Sequence, residues 1–209
     1  MQIEQMNENT KLILGDCIEV METMVPADTV ITDPPYGIAD VWKGGFGRGW
    51  GKARADTQER NEWDVKPSQE TIDKILTMGK QVIIWGGNYF TLPISRGWLI
   101  WNKPERGFSL SEAELAWTNR DAPMRVFDCH RSDTGREHPT QKPVSLMNWC
   151  LLNFSNEGDL IFDPYMGSGT TGVACAQNNR RFTGVEISKK YFDLARRRVG
   201  DALKQPRLF

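Results

Sequence analysis

The sequence predicts a single α/β domain built on a mostly parallel sheet. Strand-like apolar runs alternate with segments of helical periodicity along the 209 residues, and this alternation is typical of parallel strands joined by helices. Several runs end in an acid, at Asp16, Asp33, Asp163 and Glu186. In a parallel sheet such ends share one edge, where ligands bind. We find no internal repeat and no boundary that divides residues 1–209, and this length suits one domain.

The charge balance excludes a protein that binds nucleic acid through a global basic field. The formal net charge is -1, so any such binding must use local patches. The last thirty residues are rich in Lys and Arg, which fits either a patch of this kind or a solvated helix face.

The cysteines and the N-terminus indicate a cytoplasmic protein without a metal. The four cysteines form no CxxC pair, and Cys17, Cys150 and Cys175 are expected to be small core residues. Cys129, His130 and His138 match no usual zinc spacing, so no metal site is expected. Residues 1–10 are polar, so we expect no signal peptide, and we expect no membrane span.

The first third of the chain predicts a β-α-β unit. A strand over 11–14 leads to Asp16, which can cap a helix over 17–24. A second strand over 28–32 then delivers Asp33.

The remaining chain predicts further helices and strands. Helices are expected over 68–78 with Ser68 as cap and from Pro143 to Phe154. Two more are expected, one that follows residues 163–172 and ends at about residue 177, and one that begins after Ser188 as cap. Strands are expected over 81–85, 98–101, 115–118, 124–127, 159–162 and 181–185. The strands over 115–118 and 124–127 are spaced as an antiparallel pair.

The most distinctive stretch is residues 30–37, Val-Ile-Thr-Asp-Pro-Pro-Tyr-Gly. Prolines end a strand because they cannot donate ladder hydrogen bonds. The strand exit would display the Asp33 carboxylate and the Pro34 carbonyl beside the Tyr36 ring. Two acceptors can bind the hydrogens of one amino group and a ring can stack on a heterocycle, which suits a nucleobase turned out of its stack. The alternative is an ordinary Asp-Pro turn, with Tyr36 as packing.

Residues 37–66 form a long segment without periodicity that mixes glycines, aromatic rings and cations. Its cations include Lys43, Arg48, Lys52 and Arg54. Long loops in compact domains are often functional, and this one predicts a lid that closes over DNA through phosphate contacts and stacking. A plain flexible linker is the alternative.

Residues 167–172, Gly-Ser-Gly-Thr-Thr-Gly, match the loop of dinucleotide-binding folds. They follow a predicted strand, open a helix, and stand nineteen positions before Glu186 when counted from Gly167. Glycines allow close backbone approach, the helix N-terminus attracts an anion, and an acid at the next strand end can bind ribose hydroxyls.

Three ligands can be weighed against this loop. A nucleoside triphosphate is disfavoured because no lysine follows the last glycine. A nicotinamide cofactor fits the glycines and Glu186 but leaves residues 33–36 unexplained. S-adenosylmethionine (SAM) has a ribose, a carboxylate and an electrophilic methyl group. A methyl donor beside acceptors for an amine makes one coherent enzyme.

These motifs together resemble those of the amino-methyltransferases of DNA, which make N6-methyladenine or N4-methylcytosine. Residues 33–36 resemble the catalytic tetrapeptide, and residues 163–171 the cofactor motif, with Tyr165 where phenylalanine is more usual. Residues 138–143, His-Pro-Thr-Gln-Lys-Pro, are similar to the segment before the cofactor motif in the subgroup whose catalytic motif comes first. Residues 15–17 resemble that subgroup's opening, so the matches cover most of the chain.

The resemblance implies a Rossmann-like SAM-dependent methyltransferase fold, a mostly parallel sheet whose last strand is antiparallel. The catalytic residues would be Asp33, Pro34, Pro35 and Tyr36. Asp16 would contact the adenine amino group of SAM and Glu186 its ribose. The implied cofactor residues are Asp16, His138, Thr140, Lys142, Asp163, Pro164, Tyr165, Gly167, Ser168, Gly169, Thr170, Thr171 and Glu186.

The resemblance also bears on the substrate. An Asp at the first catalytic position goes mostly with adenine and a Ser with N4-cytosine, so Asp33 favours adenine. N4-cytosine, RNA, a protein glutamine and a non-catalytic nucleic-acid-binding module are the alternatives.

Larger relatives carry a separate target-recognition region, and only residues 37–66 and 105–137 are free for one here. The candidate DNA-binding residues in them are Lys43, Arg48, Lys52, Arg54, Arg131 and Arg136. The expected partner is double-stranded DNA, recognised through a short or relaxed site or with a second subunit, as in a homodimer. A cognate restriction enzyme is a further expected partner.

Overall fold

The computed structural model describes residues 1–38, 64–106, 111–130 and 141–205. Within these ranges the chain forms one nine-stranded sheet in the order β1-β2-β9-β8-β3-β4-β6-β5-β7, with helices on both faces. The strands are β1 (Gln2–Asn7), β2 (Thr10–Leu14), β3 (Ala27–Thr32), β4 (Gly79–Trp85), β5 (Trp98–Asn102), β6 (Ala113–Thr118), β7 (Arg125–Asp128), β8 (Leu160–Asp163) and β9 (Arg181–Glu186). The helices are α1 (Cys17–Thr23), α2 (Gln69–Thr77), α3 (Val144–Phe154), α4 (Thr170–Gln177) and α5 (Lys189–Lys204). Within the described ranges a 3-10 turn covers Gly87–Tyr89.

The sheet is covered on both faces by apolar side chains that alternate along its central strands. Val30 and Ile84 pack with α1 and α2, whereas Ile31 and Ile83 face α3, α4 and α5. All four are fully buried, and each such side chain contributes about 1.5–3 kcal/mol by leaving water. Because both faces are occupied, the ends of the strands are the part of the sheet that a ligand can reach.

The central strands are parallel, as the sequence predicts. Strand β3 lies between β8 and β4 and is parallel to both, with Thr32 opposite Ile84 and Val30 opposite Phe162. Strands β9 and β2 continue the parallel arrangement beyond β8. The predicted α/β class is therefore confirmed, and the ends of β2, β9, β8, β3 and β4 lie at one edge.

Two strands run against the others, and neither is the strand that was expected. Strand β1 pairs antiparallel with β2, and β6 lies antiparallel between β4 and β5. The mostly parallel sheet with an antiparallel strand is confirmed, but that strand is not the last one, because β9 is reached through the crossover helix α4 and is parallel to both neighbours. The predicted antiparallel pairing of 115–118 with 124–127 is also wrong: β6 is paired along both edges, and β7 instead joins β5 in parallel.

Three local departures concern the ends of elements. The polar N-terminus did not predict β1, which is an edge strand with mostly exposed side chains. Ser188 stands at the N-cap of α5, but its side chain makes no capping bond, and its backbone N–H donates to Glu186 at 2.7 Å. Pro143 occupies the N-cap of α3 and not its first turn.

Candidate active site

Four strand ends place one acid each along the same edge of the sheet. In sheet order these acids are Asp16 after β2, Glu186 at the end of β9, Asp163 at the end of β8 and Asp33 after β3. Neighbouring strands lie about 4.8 Å apart, so the four carboxylates form a row. Asp16 and Asp33 lie at one edge, as the sequence predicts.

The glycine loop between β8 and α4 has one packed side and one open side. Gly169 has φ +79°, and a Cβ there would lie 2.9 Å from the Ala195 side chain of α5. Gly167 has φ +51°, and a Cβ there would meet no atom within 4 Å. The loop is therefore pressed against α5 at Gly169 and faces open space at Gly167.

Two acids accept hydrogen bonds from this loop. Asp163 accepts hydrogen bonds from the Thr171 hydroxyl at 2.8 Å and the Tyr165 N–H at 3.1 Å. Burial raises the pKa of Asp163 to about 7, although these bonds favour the ionised form. Glu186 accepts from the Gly167 N–H at 3.0 Å, and burial raises the pKa of Glu186 as well.

A cation that the sequence did not single out also holds the loop. Arg198 of α5 donates to the Ser168 carbonyl at 2.6 Å, to the Ser168 hydroxyl at 2.8 Å and to the Thr170 hydroxyl at 3.3 Å. Charged hydrogen bonds of this kind are stronger than neutral ones. The basic C-terminal helix thus contributes at least one residue to the candidate site.

The hydroxyl that distinguishes Tyr165 from phenylalanine has a partner in this chain. It interacts with the Cys17 thiol, and burial raises the pKa of Cys17. The neighbouring Asp16 caps α1 by accepting the Ile18 N–H at 2.8 Å and stays exposed. Asp16, Cys17 and Tyr165 therefore form one group at the β2 end of the edge.

Both oxygens of the Asp33 carboxylate are bound. The Tyr36 hydroxyl donates to Oδ1 at 2.6 Å, and the Lys142 ammonium donates to Oδ2 at 2.5 Å. Lys142 also donates to the Tyr36 hydroxyl at 3.3 Å. Of the two residues between Asp33 and Tyr36, Pro34 is buried and Pro35 is half-buried. Lys142 thus contacts the predicted catalytic acid.

The Tyr36 ring is packed by residues that follow β4. It stacks on Tyr89 with a centroid distance of 4.8 Å and an angle of 17°, and Phe90 meets it edge-on at 6.3 Å. Gly86 has φ +68°, and a Cβ there would come within 2.0 Å of the Tyr36 ring. Gly86 is therefore the residue that lets the ring approach the end of β4. Burial raises the pKa of Tyr36 well above its ordinary value.

Lys142 has a second acidic partner, Glu114. The Lys142 ammonium lies 3.0 Å from Glu114 Oε2, and Lys103 donates to Glu114 Oε1. The sequence analysis did not identify Lys103, Glu114, Tyr89 or Arg198. Lys103 and Tyr89 each follow a predicted strand closely, and this position could have identified them as site residues. The position of Glu114 at the site depends on the direction of β6.

Several predicted site residues lie outside the described part of the chain. The two predicted cofactor residues in this group are His138 and Thr140. The predicted DNA-binding residues in it are Lys43, Arg48, Lys52, Arg54, Arg131 and Arg136. Lys43, Arg48, Lys52 and Arg54 belong to a segment whose two flanks are hydrogen-bonded. Asp64, which follows the segment, accepts the N–H groups of Gly37 at 2.9 Å and Ile38 at 2.8 Å, which precede it.

Two features are absent from the described ranges. These ranges contain no group of three or more potential metal ligands, and no helix in them is long and apolar enough to cross a membrane. The four cysteines are free and buried.

The comparisons with known proteins point to one family. M.BamHII of Bacillus amyloliquefaciens, an orphan methyltransferase, is 51% identical over 63 residues, which are 30% of this chain and 24% of that protein. The DNA adenine methyltransferase YhdJ of Escherichia coli (strain K12) is 37% identical over 87 residues, 40% of this chain and 30% of that protein. The chain thus aligns with less than a third of the length of either relative.

A solved structure and a family model extend the match. The structure of the M1.HpyAVI–SAM complex superposes with a TM-score of 0.61 at 21% identity, covering 90% of this chain and 99% of that one. The model of the N6_N4_Mtase family, described as DNA methylase, matches residues 52–197. Most of the chain lies within this match, and the protein belongs to the DNA methylase family.

Proposed function

We propose that this protein transfers the methyl group of SAM to the N6 amine of an adenine flipped out of double-stranded DNA. The observation that carries the proposal is the adjacency of β3 and β8 in the sheet. Asp33, which ends the first, can accept an amine, and the glycine loop after the second can hold a methyl donor. The two strand ends lie side by side.

The residues at this edge of the sheet fit the cofactor. A ligand can approach the backbone at Gly167, where a Cβ would meet open space, and Glu186 lies directly beside that position through its bond to the Gly167 N–H. We expect Glu186 to accept ribose hydroxyls and Asp16 to accept the adenine amino group, since both are acceptors on the same edge. Residues 163–171, with His138 and Thr140, are proposed for the methionine part.

The methyl group that bound SAM supplies is electrophilic because it is carried by a sulfonium. The amine that attacks it is a weak nucleophile, since its lone pair is delocalised into the ring of the base. Asp33 and the Pro34 carbonyl would accept its two hydrogens and favour a more tetrahedral nitrogen. Asp33 would also stabilise the positive charge that develops there. Tyr36 supplies an aromatic surface that would align the base, and Pro35 fixes the backbone between the two.

Two considerations support adenine and DNA as substrate. Asp33 stands where relatives with Asp mostly modify adenine, and YhdJ is described as an adenine methyltransferase. The name of the family model covers both N6 and N4 amines, so N4-cytosine is the second candidate. A homodimer, a cognate restriction enzyme and a cytoplasmic location stay predictions.

The test is methyl transfer from labelled SAM to unmethylated mixed-sequence duplex DNA, with the nucleosides identified by mass. We expect N6-methyladenine. N4-methylcytosine would keep the mechanism and overturn the choice of base, and bound SAM without any product would favour a non-catalytic binding module. Asp33→Ala should abolish transfer and leave SAM binding intact, while Asp73→Ala, an exposed acid of α2, should be as active as wild type.

A further inference from the structure

Four side chains of alternating charge run along the edge of the sheet and end at the proposed catalytic acid. In order they are Lys103, Glu114, Lys142 and Asp33. Lys142 lies 2.5 Å from Asp33 Oδ2 and 3.0 Å from Glu114 Oε2, and Lys103 donates to the other oxygen of Glu114. Each inner member therefore contacts two partners of opposite charge.

The reversed direction of β6 brings Glu114 to this edge. Trp85, the last residue of β4, pairs with Ala116, so Glu114 lies two residues beyond the end of β4. Asn102, the last residue of β5, pairs with Ala113, and Lys103 follows it. The start of β6 and the end of β5 therefore place Glu114 and Lys103, which have opposite charges, at the same edge of the sheet.

The burial of these groups makes their pairing energetically important. The side chains of Lys142 and Lys103 are each 7% exposed, and a buried charge without a partner costs several kcal/mol. Burial by itself would raise the pKa of Glu114, but the ammonium groups of Lys142 and Lys103 hold it at about 2. Glu114 is therefore ionised at neutral pH. The carboxylates of Asp33 and Glu114 raise the pKa of Lys142, against the effect of burial.

We propose that Glu114, held by Lys103, is a positioning residue that fixes the Lys142 ammonium on Asp33, so that Lys142 orients the catalytic carboxylate. This inference deepens the proposed function and rests on it. It gives Lys142 a different role from the one implied by resemblance, in which Lys142 helps to hold the methionine part of SAM.

The geometry explains why such positioning matters for the reaction. Lys142 holds Oδ2 of Asp33 while the Tyr36 hydroxyl holds Oδ1, so the carboxylate cannot rotate away from the amine it is to accept. A misplacement of about 1 Å at a reacting centre can cost about 100-fold in rate. Glu114 acts on the rate only through Lys142, because its contacts in this row are to the two lysines.

The experiment compares kcat at saturating substrates with the Kd for SAM. Glu114→Gln removes the charge and keeps the shape, and Glu112→Gln is the matched control, since the Glu112 side chain is 56% exposed and lies two residues earlier. We expect Glu114→Gln to lower kcat about tenfold with a SAM Kd within about twofold of wild type, and Glu112→Gln to change neither. Lys142→Met should lower kcat further, and Lys142→Arg should recover part of that loss.

A double-mutant cycle separates positioning from a merely structural role. If Glu114 acts through Lys142, Glu114→Gln in the Lys142→Met background should change kcat by less than about twofold. Multiplicative losses, weakened SAM binding at unchanged kcat, or full activity of Glu114→Gln would each overturn the inference. If Lys142→Met does not fold, as judged by circular dichroism, the contrast between kcat and Kd in Glu114→Gln and the activity of Lys142→Arg decide alone. An inactive wild type would overturn the proposed function and this inference with it, whereas an active wild type with an unchanged Glu114→Gln would overturn this inference alone.

Discussion

The Arg198 guanidinium lies 2.6 Å from the Ser168 carbonyl oxygen and 2.8 Å from the Ser168 hydroxyl, so α5 is bonded directly to the glycine loop. Arg198→Met keeps much of the aliphatic stem and removes these bonds. We expect about tenfold weaker SAM binding and a loss of about 2 kcal/mol in the free energy of unfolding, because hydrogen bonds to charged groups contribute about 1.5–3 kcal/mol. Titration calorimetry and denaturant unfolding measure the two effects. Arg197→Met, at the adjacent exposed position, should leave SAM binding unchanged; equal losses in both variants would contradict this role.

Gly167→Ala should separate backbone strain from ligand space. The new Cβ would lie in the open space above the loop, and an alanine at φ +51° costs about 1–2 kcal/mol. Gly158→Ala is the matched control, because Gly158 has φ +81°, meets no atom within 4 Å and lies before β8, at the opposite end of that strand from the loop. We expect similar losses of stability in both variants and at least about tenfold weaker SAM binding in Gly167→Ala alone. Unimpaired SAM binding by Gly167→Ala would show that the cofactor lies elsewhere.

Tyr36→Phe tests the hydroxyl without the ring. The variant keeps the stack on Tyr89 and loses the bond to Asp33 Oδ1. We expect kcat to fall about tenfold with little change in the KM for DNA, because the orientation of the acid is affected and the aromatic surface is not. Tyr165→Phe removes a hydroxyl that contacts Cys17 and should have nearly wild-type kcat. A large effect of Tyr165→Phe with none of Tyr36→Phe would reverse these assignments.

Asp163→Asn should change how stability depends on pH. The pKa of Asp163 is raised from 3.8 to about 7 by burial, so between these values the folded state keeps a proton that the unfolded state has lost. The contribution of Asp163 to the free energy of unfolding is therefore fully present below about pH 4, falls as the pH rises to about 7, and is constant above that. The total fall is on the order of 4 kcal/mol. Asparagine does not titrate, so this fall should be absent in denaturant unfolding of the variant between pH 4 and 8. Asp73→Asn, which replaces an exposed carboxylate, should follow the wild-type curve, and parallel curves for Asp163→Asn and wild type would contradict the argument.

The elements that the sequence predicts well are those whose signals are local. Asp16 and Ser68 cap their helices as expected, since a capping bond joins residues two or three positions apart. The row of acids at strand ends follows from apolar runs that stop at a charged residue. These local signals located the glycine loop, the Asp33 strand exit and most of the candidate site.

The pairing of β7 and the place of Glu114 were missed because they depend on pairing between distant strands. Whether β7 joins β6 or β5 is decided by which edges are already occupied, and the spacing between 118 and 125 does not reveal it. Glu114 belongs to the site because β6 is reversed, so its position could not be derived before the sheet order was known. Arg198 lies in a helix rich in cations, and sequence alone does not separate it from its exposed neighbours.

The hydrogen-bonded adjacency of β3 and β8 has a consequence for how this protein could evolve. The distance between the amine and the methyl donor would be set by the sheet backbone. Sequence changes in the inserted segments would therefore not alter this preorganised distance. Asp64, which follows the first segment, accepts the N–H groups of Gly37 and Ile38, which precede it. If residues 39–63 carry the predicted DNA contacts, sequence variation in them should alter which DNA site is chosen at nearly constant chemical rate, so that target choice and turnover can diverge independently.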